Sequence, residues 1–141
     1  MVTRIGHSAI RARDAEKTAA FYVEMLGMQE AFRMDNPDGT PNFIYISVAP
    51  GQFIEIFSGG TKEMEEGKDL IGHCHICYEV ADIKAAYEEL KAKGAPLDTE
   101  IKTGRSLCLQ FWTHDPDGNK IELMQLPPES WQAQANARLY P

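Results

Sequence analysis

Short runs of alternating or β-branched apolar residues recur along the chain, and two segments with helical spacing interrupt them. Residues 3–11, 28–35, 43–48 and 52–58 read as strands. Asp14 is placed as an N-cap, residues 15–26 are good helix formers, and Gly27 suits the position just past a helix end. Asn36-Pro37-Asp38-Gly39 and Pro50-Gly51 are turn signals. The order then starts again. A strand is predicted over 73–80, with Asp82 as the next N-cap. Ile83, Ala86, Tyr87 and Leu90 share one helical face, and Gly94 follows it. Strands are predicted at 97–102, 106–113 and 120–126, with a turn at Asp115-Pro116-Asp117-Gly118. Residues 59–71 are polar and glycine-rich and read as a flexible connection. Residues 127–141 form a tail with a helix around 130–138.

The chain thus reads as β-α-β-β-β twice, an α+β fold of two βαβββ modules in tandem forming a curved mixed sheet around a metal cleft. The expected organisation is one domain over residues 1–126. It comprises module 1 (1–58), module 2 (72–126) and the 59–71 loop, followed by the 127–141 tail. The repeat has a fixed offset: His7 and His75, and Asp14 and Asp82, lie 68 residues apart, while Gly27 and Gly94, Gly51 and Gly118, and Glu55 and Glu122 lie 67 apart. Internal repeats outrank local motifs as evidence of architecture. Here the repeat duplicates chemistry as well, because each module carries a histidine on its first strand and a glutamate on its last. Side chains alternate between the faces of a strand. Glu55 therefore shares a face with Phe53 and Phe57 while Ile54 and Ile56 take the other, and Glu122 is opposed by Ile121 and Leu123. The aliphatic faces are platforms for the helices, which leaves the His/Glu faces to line a cleft.

Two imidazoles and two carboxylates are ligands for a divalent cation such as Ni, Co, Zn, Mn or Fe(II). Four protein donors on an octahedral ion leave two positions for substrate, and a carboxylate that leaves the ion becomes a general base. His73, on the same predicted face as His75, is the alternative ligand or a neighbour of it. Cys74 and Cys77 are three apart in a predicted strand and so point to opposite faces; they and Cys108 are expected to be packing residues. His114 is expected to be solvated, and the charged run 62–68 to be a mobile loop.

Composition narrows the class. A length of 141 residues, 43% hydrophobic, is one domain's worth of ordinary globular protein. The net charge of −7 argues against nucleic acid as partner, and no apolar run is long enough to span a membrane. Three cysteines do not make a disulfide framework, and residues 1–7 carry no apolar signal segment, so the cytoplasm is the expected compartment.

The segments IGHSAIRARDAEKTAAFYVEMLGM (5–28), FIEIFSGG (53–60), GHCHICYEV (72–80) and DPDGNKIELMQ (115–125) resemble the vicinal oxygen chelate superfamily, and within it short bacterial glyoxalase I (lactoylglutathione lyase). The resemblance covers residues 3 to 126. It implies metal ligation by His7, Glu55, His75 and Glu122, with Glu122 as the mobile general base and Glu55 able to share that work. It places Arg11 where the family binds the glutathione carboxylate. It implies a homodimer and a small-molecule substrate. The activity implied is that of a lyase or isomerase acting on a small hydroxy-carbonyl or hemithioacetal, by proton abstraction through a metal-stabilised enediolate. Short members without helical insertions resemble the Ni/Co-activated class more than the Zn class. The residue four after the first glutamate is Asn in glutathione-dependent members and Gly59 here, so glutathione or another thiol is not carried over as cofactor. Within the same superfamily the alternatives are an extradiol dioxygenase, which needs one carboxylate fewer, and a non-catalytic ligand-binding or resistance protein. A thiol transferase acting on epoxides ranks lower for want of a basic cluster.

Overall fold

A computed structural model describes residues 1–63, 65 and 71–141. The expectations of a flexible connection over 59–71 and of a mobile loop over 62–68 therefore fall partly outside the described residues. The chain divides into two compact units, Met1–Ile71 with Asp115–Asp117, and Gly72–His114 with Gly118–Pro141.

The first unit runs β1 (His7–Arg11), α1 (Ala15–Glu24), β2 (Gln29–Asp35), β3 (Pro41–Ala49) and β4 (Gln52–Phe57). Its sheet has the order β1-β4-β3-β2, with β1 parallel to β4 and the other pairs antiparallel. Ile44, Ile46, Ile54 and Ile56 are buried on the side that α1 covers with Ala15, Ala19, Phe21 and Tyr22. The turn Asp115–Asp117 belongs to this unit. The Tyr22 hydroxyl donates to Asp115, which is buried, at 3.3 Å, and the Thr18 hydroxyl donates to Asp117 at 3.0 Å.

The second unit repeats the topology with β5 (Ile76–Glu79), α2 (Ile83–Ala92), β6 (Lys102–Thr103), β7 (Leu109–His114) and β8 (Lys120–Gln125), followed by α3 (Trp131–Leu139). Its sheet order is β5-β8-β7-β6, again with the first strand parallel to the last. Tyr78, Phe111, Ile121 and Leu123 are buried, as are Ile83, Tyr87 and Leu90 of α2. The Tyr87 and Phe111 rings meet edge to face, with centroids 5.1 Å apart.

Both expected N-caps form. Asp14 accepts from the Lys17 amide at 3.1 Å, and Asp82 from the Lys84 and Ala85 amides at 2.9 and 3.0 Å. Gly27 and Gly94, just beyond the helices, have φ of +70° and +74°, a left-handed turn that glycine adopts without a steric penalty.

Strand ends differ from the sequence pattern for reasons of partnership. The predicted strand over 73–80 is paired only from Ile76, opposite Ile121, because β8 itself begins at Lys120. Residues 3–6 likewise precede the start of β4. The 97–102 strand is reduced to Lys102–Thr103. Upstream of it Pro96 has no N–H to give, and the Thr99 hydroxyl, not a carbonyl, takes the Trp112 amide. The 106–113 strand starts at Leu109 because residues 104–107 close a tight turn. In that turn the Leu107 amide donates to the Gly104 carbonyl at 3.0 Å, and Leu107 sits at φ +64°.

Ile56 has no exposed surface. Ile56→Ala is expected to cost about 2–5 kcal/mol in urea-induced unfolding, whereas Ala9→Ser on the open side of β1 stays within about 0.5 kcal/mol. Equal costs would contradict the assignment of the two faces.

Candidate functional site

In the first unit Ala9 of β1 lies in register with Glu55 of β4. The methyl group beside the carboxylate leaves room for the imidazole of His7, two residues earlier on the same face, to lean across. His7 Nε2 stands 3.4 Å from Glu55 Oε2. The second unit builds the same arrangement. Cys77, another small side chain, is in register with Glu122, and His75, two residues earlier, brings its Nε2 to 3.1 Å from Glu122 Oε2. In each pair the glutamate is the more buried partner, at 13% and 11% side-chain exposure against 47% for His7 and 36% for His75.

The structure thus brings the four expected residues together two by two, one pair in each unit. Among the described residues no group of three or more His, Cys, Asp or Glu side chains forms a cluster able to hold a cation. The donor chemistry of each pair nevertheless fits a divalent ion. Two ligands bound side by side at about 2.1 Å from one cation stand about 3.0–3.4 Å apart, which is the spacing of both pairs.

Around the first pair the open face of the sheet is aromatic. Tyr45, in register with Glu55, presents its ring to His7 with centroids 5.7 Å apart at 63°. It stacks on Phe32 at 4.4 Å and meets Phe43 and Phe53. Burial first, then the neighbouring Glu55 carboxylate, push the Tyr45 phenol above the ordinary tyrosine range. Arg11 lies on this face too, its guanidinium carbon 5.2 Å from the centre of the Phe57 ring and its Nη1 donating to the Ser58 carbonyl at 2.8 Å. Gly59 has φ +81°, a backbone geometry that Gly and Asn both tolerate.

Around the second pair, Trp112 is in register with Glu122 and meets the His75 ring at 4.8 Å and 72°. With its amide turned to satisfy its neighbours, Gln110 donates to Glu122 Oε1 at 3.1 Å and accepts from Trp112 Nε1 at 3.1 Å.

The sequence pattern singled out neither Tyr45 nor Trp112, yet the signal was there: each precedes its glutamate by ten residues, and the two lie 67 apart. His73 is exposed ahead of β5, and the structure pairs His75, not His73, with Glu122. Cys74 is exposed rather than packed, because the stretch preceding β5 has no partner strand; Cys77 is half-buried and Cys108 buried. His114 is 43% exposed but bonds Asp98 through Nδ1 at 2.8 Å.

A family model described as the glyoxalase/bleomycin resistance protein/dioxygenase superfamily matches residues 4–123, a span that includes both His–Glu pairs. The chain belongs to this superfamily. Among its relatives, an ethylmalonyl-CoA/methylmalonyl-CoA epimerase of Cereibacter sphaeroides is 36% identical over 139 residues, covering 89% of this chain and 100% of the epimerase. A lactoylglutathione lyase of Schizosaccharomyces pombe is 31% identical over 137 residues, covering 86% of this chain; the chain spans 45% of that enzyme's length. The crystal structure of a glyoxalase family protein from Enterococcus faecalis superposes with a TM-score of 0.75 at 24% identity, covering 86% of this chain and 96% of that one, and shows the same fold. Among the described residues no helix is long and apolar enough to cross a membrane.

The Cys77 thiol is pushed up to about 12, by burial first and then by the Glu122 carboxylate beside it. A raised thiol pKa keeps the unreactive protonated form at all pH values below it. Iodoacetamide at pH 8 is therefore expected to label Cys74 and spare Cys77, as read by peptide mass spectrometry. Labelling of both at one rate contradicts the environment described for Glu122.

Proposed function

We propose that this chain is a metal-dependent lyase or isomerase of the glyoxalase I type that removes and returns a proton on the carbon beside a carbonyl of a small hydroxy-carbonyl or hemithioacetal substrate. One observation carries the reading: two copies of a module each set a histidine against a glutamate at ligand-like spacing, 3.4 and 3.1 Å. Isolated surface pairs have no reason to be duplicated with their register intact. The names of the relatives support the same class, since a lyase and an epimerase are both among them.

His7, Glu55, His75 and Glu122 would hold the ion, with Ni or Co first, then Zn, then Mn or Fe(II). When bound, such an ion supplies Lewis acidity toward two neighbouring substrate oxygens. Glu122 is the general base that takes the proton, and Glu55 returns it or takes it from the opposite configuration. Arg11 binds a carboxylate at the far end of the substrate, and the aromatic face around Tyr45 excludes water from the reacting carbon. Two carboxylates of equal standing, each beside its own histidine, favour this chemistry over an extradiol dioxygenase, whose iron takes two histidines and one carboxylate. Glutathione is not assigned, because Gly59 leaves open which thiol, if any, the substrate carries.

The reading includes a cytoplasmic homodimer in which the His7–Glu55 pair of one chain and the His75–Glu122 pair of its partner serve one ion.

Four outcomes test it. Elemental analysis of the purified protein is expected to show a bound divalent metal. Chelation is expected to abolish turnover in a panel of hemithioacetals, hydroxy-ketones and malonyl-type thioesters, and Ni or Co to restore it. Glu122→Gln is expected to keep its metal and lose about 10²–10⁴-fold in turnover; full activity in that variant overturns the assignment. Mixing inactive His7→Ala chains with inactive His75→Ala chains is expected to recover part of the activity, because one of the two shared sites in each mixed dimer is intact. No recovery would place both pairs of a site on the same chain.

A further inference from the structure

β7 sends Gln110 and Trp112 to the face of the second sheet that carries Glu122. Trp112 is directly in register with the glutamate. Gln110, whose register partner is Met124, lies diagonal to it, within reach of a long side chain. The Gln110 amide is enclosed by its neighbours. On one side the Trp112 indole Nε1–H donates to the amide oxygen at 3.1 Å. An indole N–H can only donate, so it captures the oxygen and turns the NH₂ group the other way. That group donates to Glu122 Oε1 at 3.1 Å and lies 3.3 Å from Cys108 Sγ. Against the same end of the amide runs the Gly104 backbone, where an added Cβ would collide with the amide and come within 2.9 Å of Cys108 Sγ. The turn that presents Gly104 is closed by the Gly104 amide donating to the Cys108 carbonyl at 2.8 Å and the Leu107 amide donating to the Gly104 carbonyl at 3.0 Å. Glu122 is thus engaged through both oxygens, Oε1 by the amide and Oε2 by His75 Nε2 at 3.1 Å. Its side chain is 11% exposed, so a protein donor replaces water that the carboxylate has lost. The first module has no such amide: the residue 67 positions before Gln110 is Phe43, whose side chain has no polar atom.

We propose that Gln110 is a positioning residue for Glu122: seated against Gly104 and oriented by the Trp112 indole, its amide holds Oε1, leaves Oε2 facing His75, and so keeps the carboxylate in one rotamer before any ligand arrives. The inference deepens the reading of Glu122 as metal ligand and base, and rests on it for its functional consequence. A glutamate turns about three side-chain bonds. Fixing them in advance removes an ordering cost from binding, and partners that orient a ligand in this way are worth about 10–100-fold in metal affinity. Because Phe43 offers no amide, this support singles out Glu122 from two carboxylates that share the same pairing with histidine. Gln110 touches neither substrate nor ion in this account. It acts through Glu122, and Trp112 and Gly104 act through Gln110.

The test removes the amide, its anchor and its seat in turn. Gln110→Met keeps the length of the side chain and removes the donor. Trp112→Phe keeps a ring at that position and removes the indole N–H. Gly104→Ala displaces the amide without altering it. Circular dichroism checks that each variant is folded. In the metal-free protein, three-bond couplings across the side-chain bonds of Glu122, measured by nuclear magnetic resonance, report its rotamers. The unaltered protein is expected to show one Glu122 rotamer and Gln110→Met several, with the Glu55 couplings the same in both. Binding of Ni²⁺ to the metal-free protein, measured by calorimetry, is expected to weaken about 10–100-fold in Gln110→Met, and in the same direction in Trp112→Phe and Gly104→Ala. Glu122 couplings that do not change in Gln110→Met, or an unchanged Ni²⁺ affinity in that variant, overturn the proposal while leaving the metal reading intact. Should Gln110→Met fail to fold, Trp112→Phe carries both readouts with the same outcomes. If the unaltered protein takes up no Ni²⁺, the metal reading fails on its own, and the couplings alone decide whether Gln110 positions Glu122: their averaging in the variant supports the role, and their constancy overturns it.

Discussion

A β-strand can show its side chains only two ways, and the whole arrangement depends on how that choice is divided. In the first sheet Ile44, Ile46, Ile54 and Ile56 all turn toward α1 and lose nearly all their exposed surface. Burying four such side chains stabilises the unit by about 6–12 kcal/mol before entropy is counted. A slip of one residue in register would expose all of the slipped strand's aliphatic side chains at once, so the register is pinned by the core. Glu55 and His7, with odd numbers among even-numbered isoleucines, are thereby forced to the open face. The same division by Ile121 and Leu123 fixes Glu122. The position of the charged groups is a consequence of where the apolar groups must go.

Register then supplies the pairing. The parallel contact of the first and last strand of each module puts a small residue, Ala9 or Cys77, beside each glutamate. A larger side chain there would occupy the space through which the histidine reaches. Duplication has kept this local grammar and let the surroundings diverge. The first unit offers an aromatic field of Phe32, Phe43, Tyr45, Phe53 and Phe57 with Arg11 at its side, while the second offers Gln110 and Trp112.

Much of this was legible in the chain itself. Asp14 and Asp82 act as caps where the pattern put them, because an N-cap is a local contact that three or four residues determine. The His–Glu pairs were legible because the offset of 67 or 68 residues carries information that no single strand does. Strand ends were not legible, since pairing at His73, Cys74 or residues 3–6 depends on where β8 and β4 happen to begin. For the same reason Cys74, expected to pack, is exposed. Tyr45 and Trp112 do not stand out in the sequence, because an aromatic residue in a strand has a sufficient explanation in packing; only the contacts of their rings with His7 and His75 set them apart. His114 was expected in solvent, and its bond to Asp98 joins residues 16 apart whose approach the linear pattern does not announce.

The claim on which the account stands is that two imidazoles and two carboxylates share one cation. X-ray absorption at the metal edge of the Ni²⁺-loaded protein reads that shell directly. The account predicts a first shell of nitrogen and oxygen only, with the multiple-scattering signature of two imidazoles that falls to one in His7→Ala. Sulfur in the first shell, from Cys74 or Cys77, or a spectrum unchanged by that substitution, would contradict it.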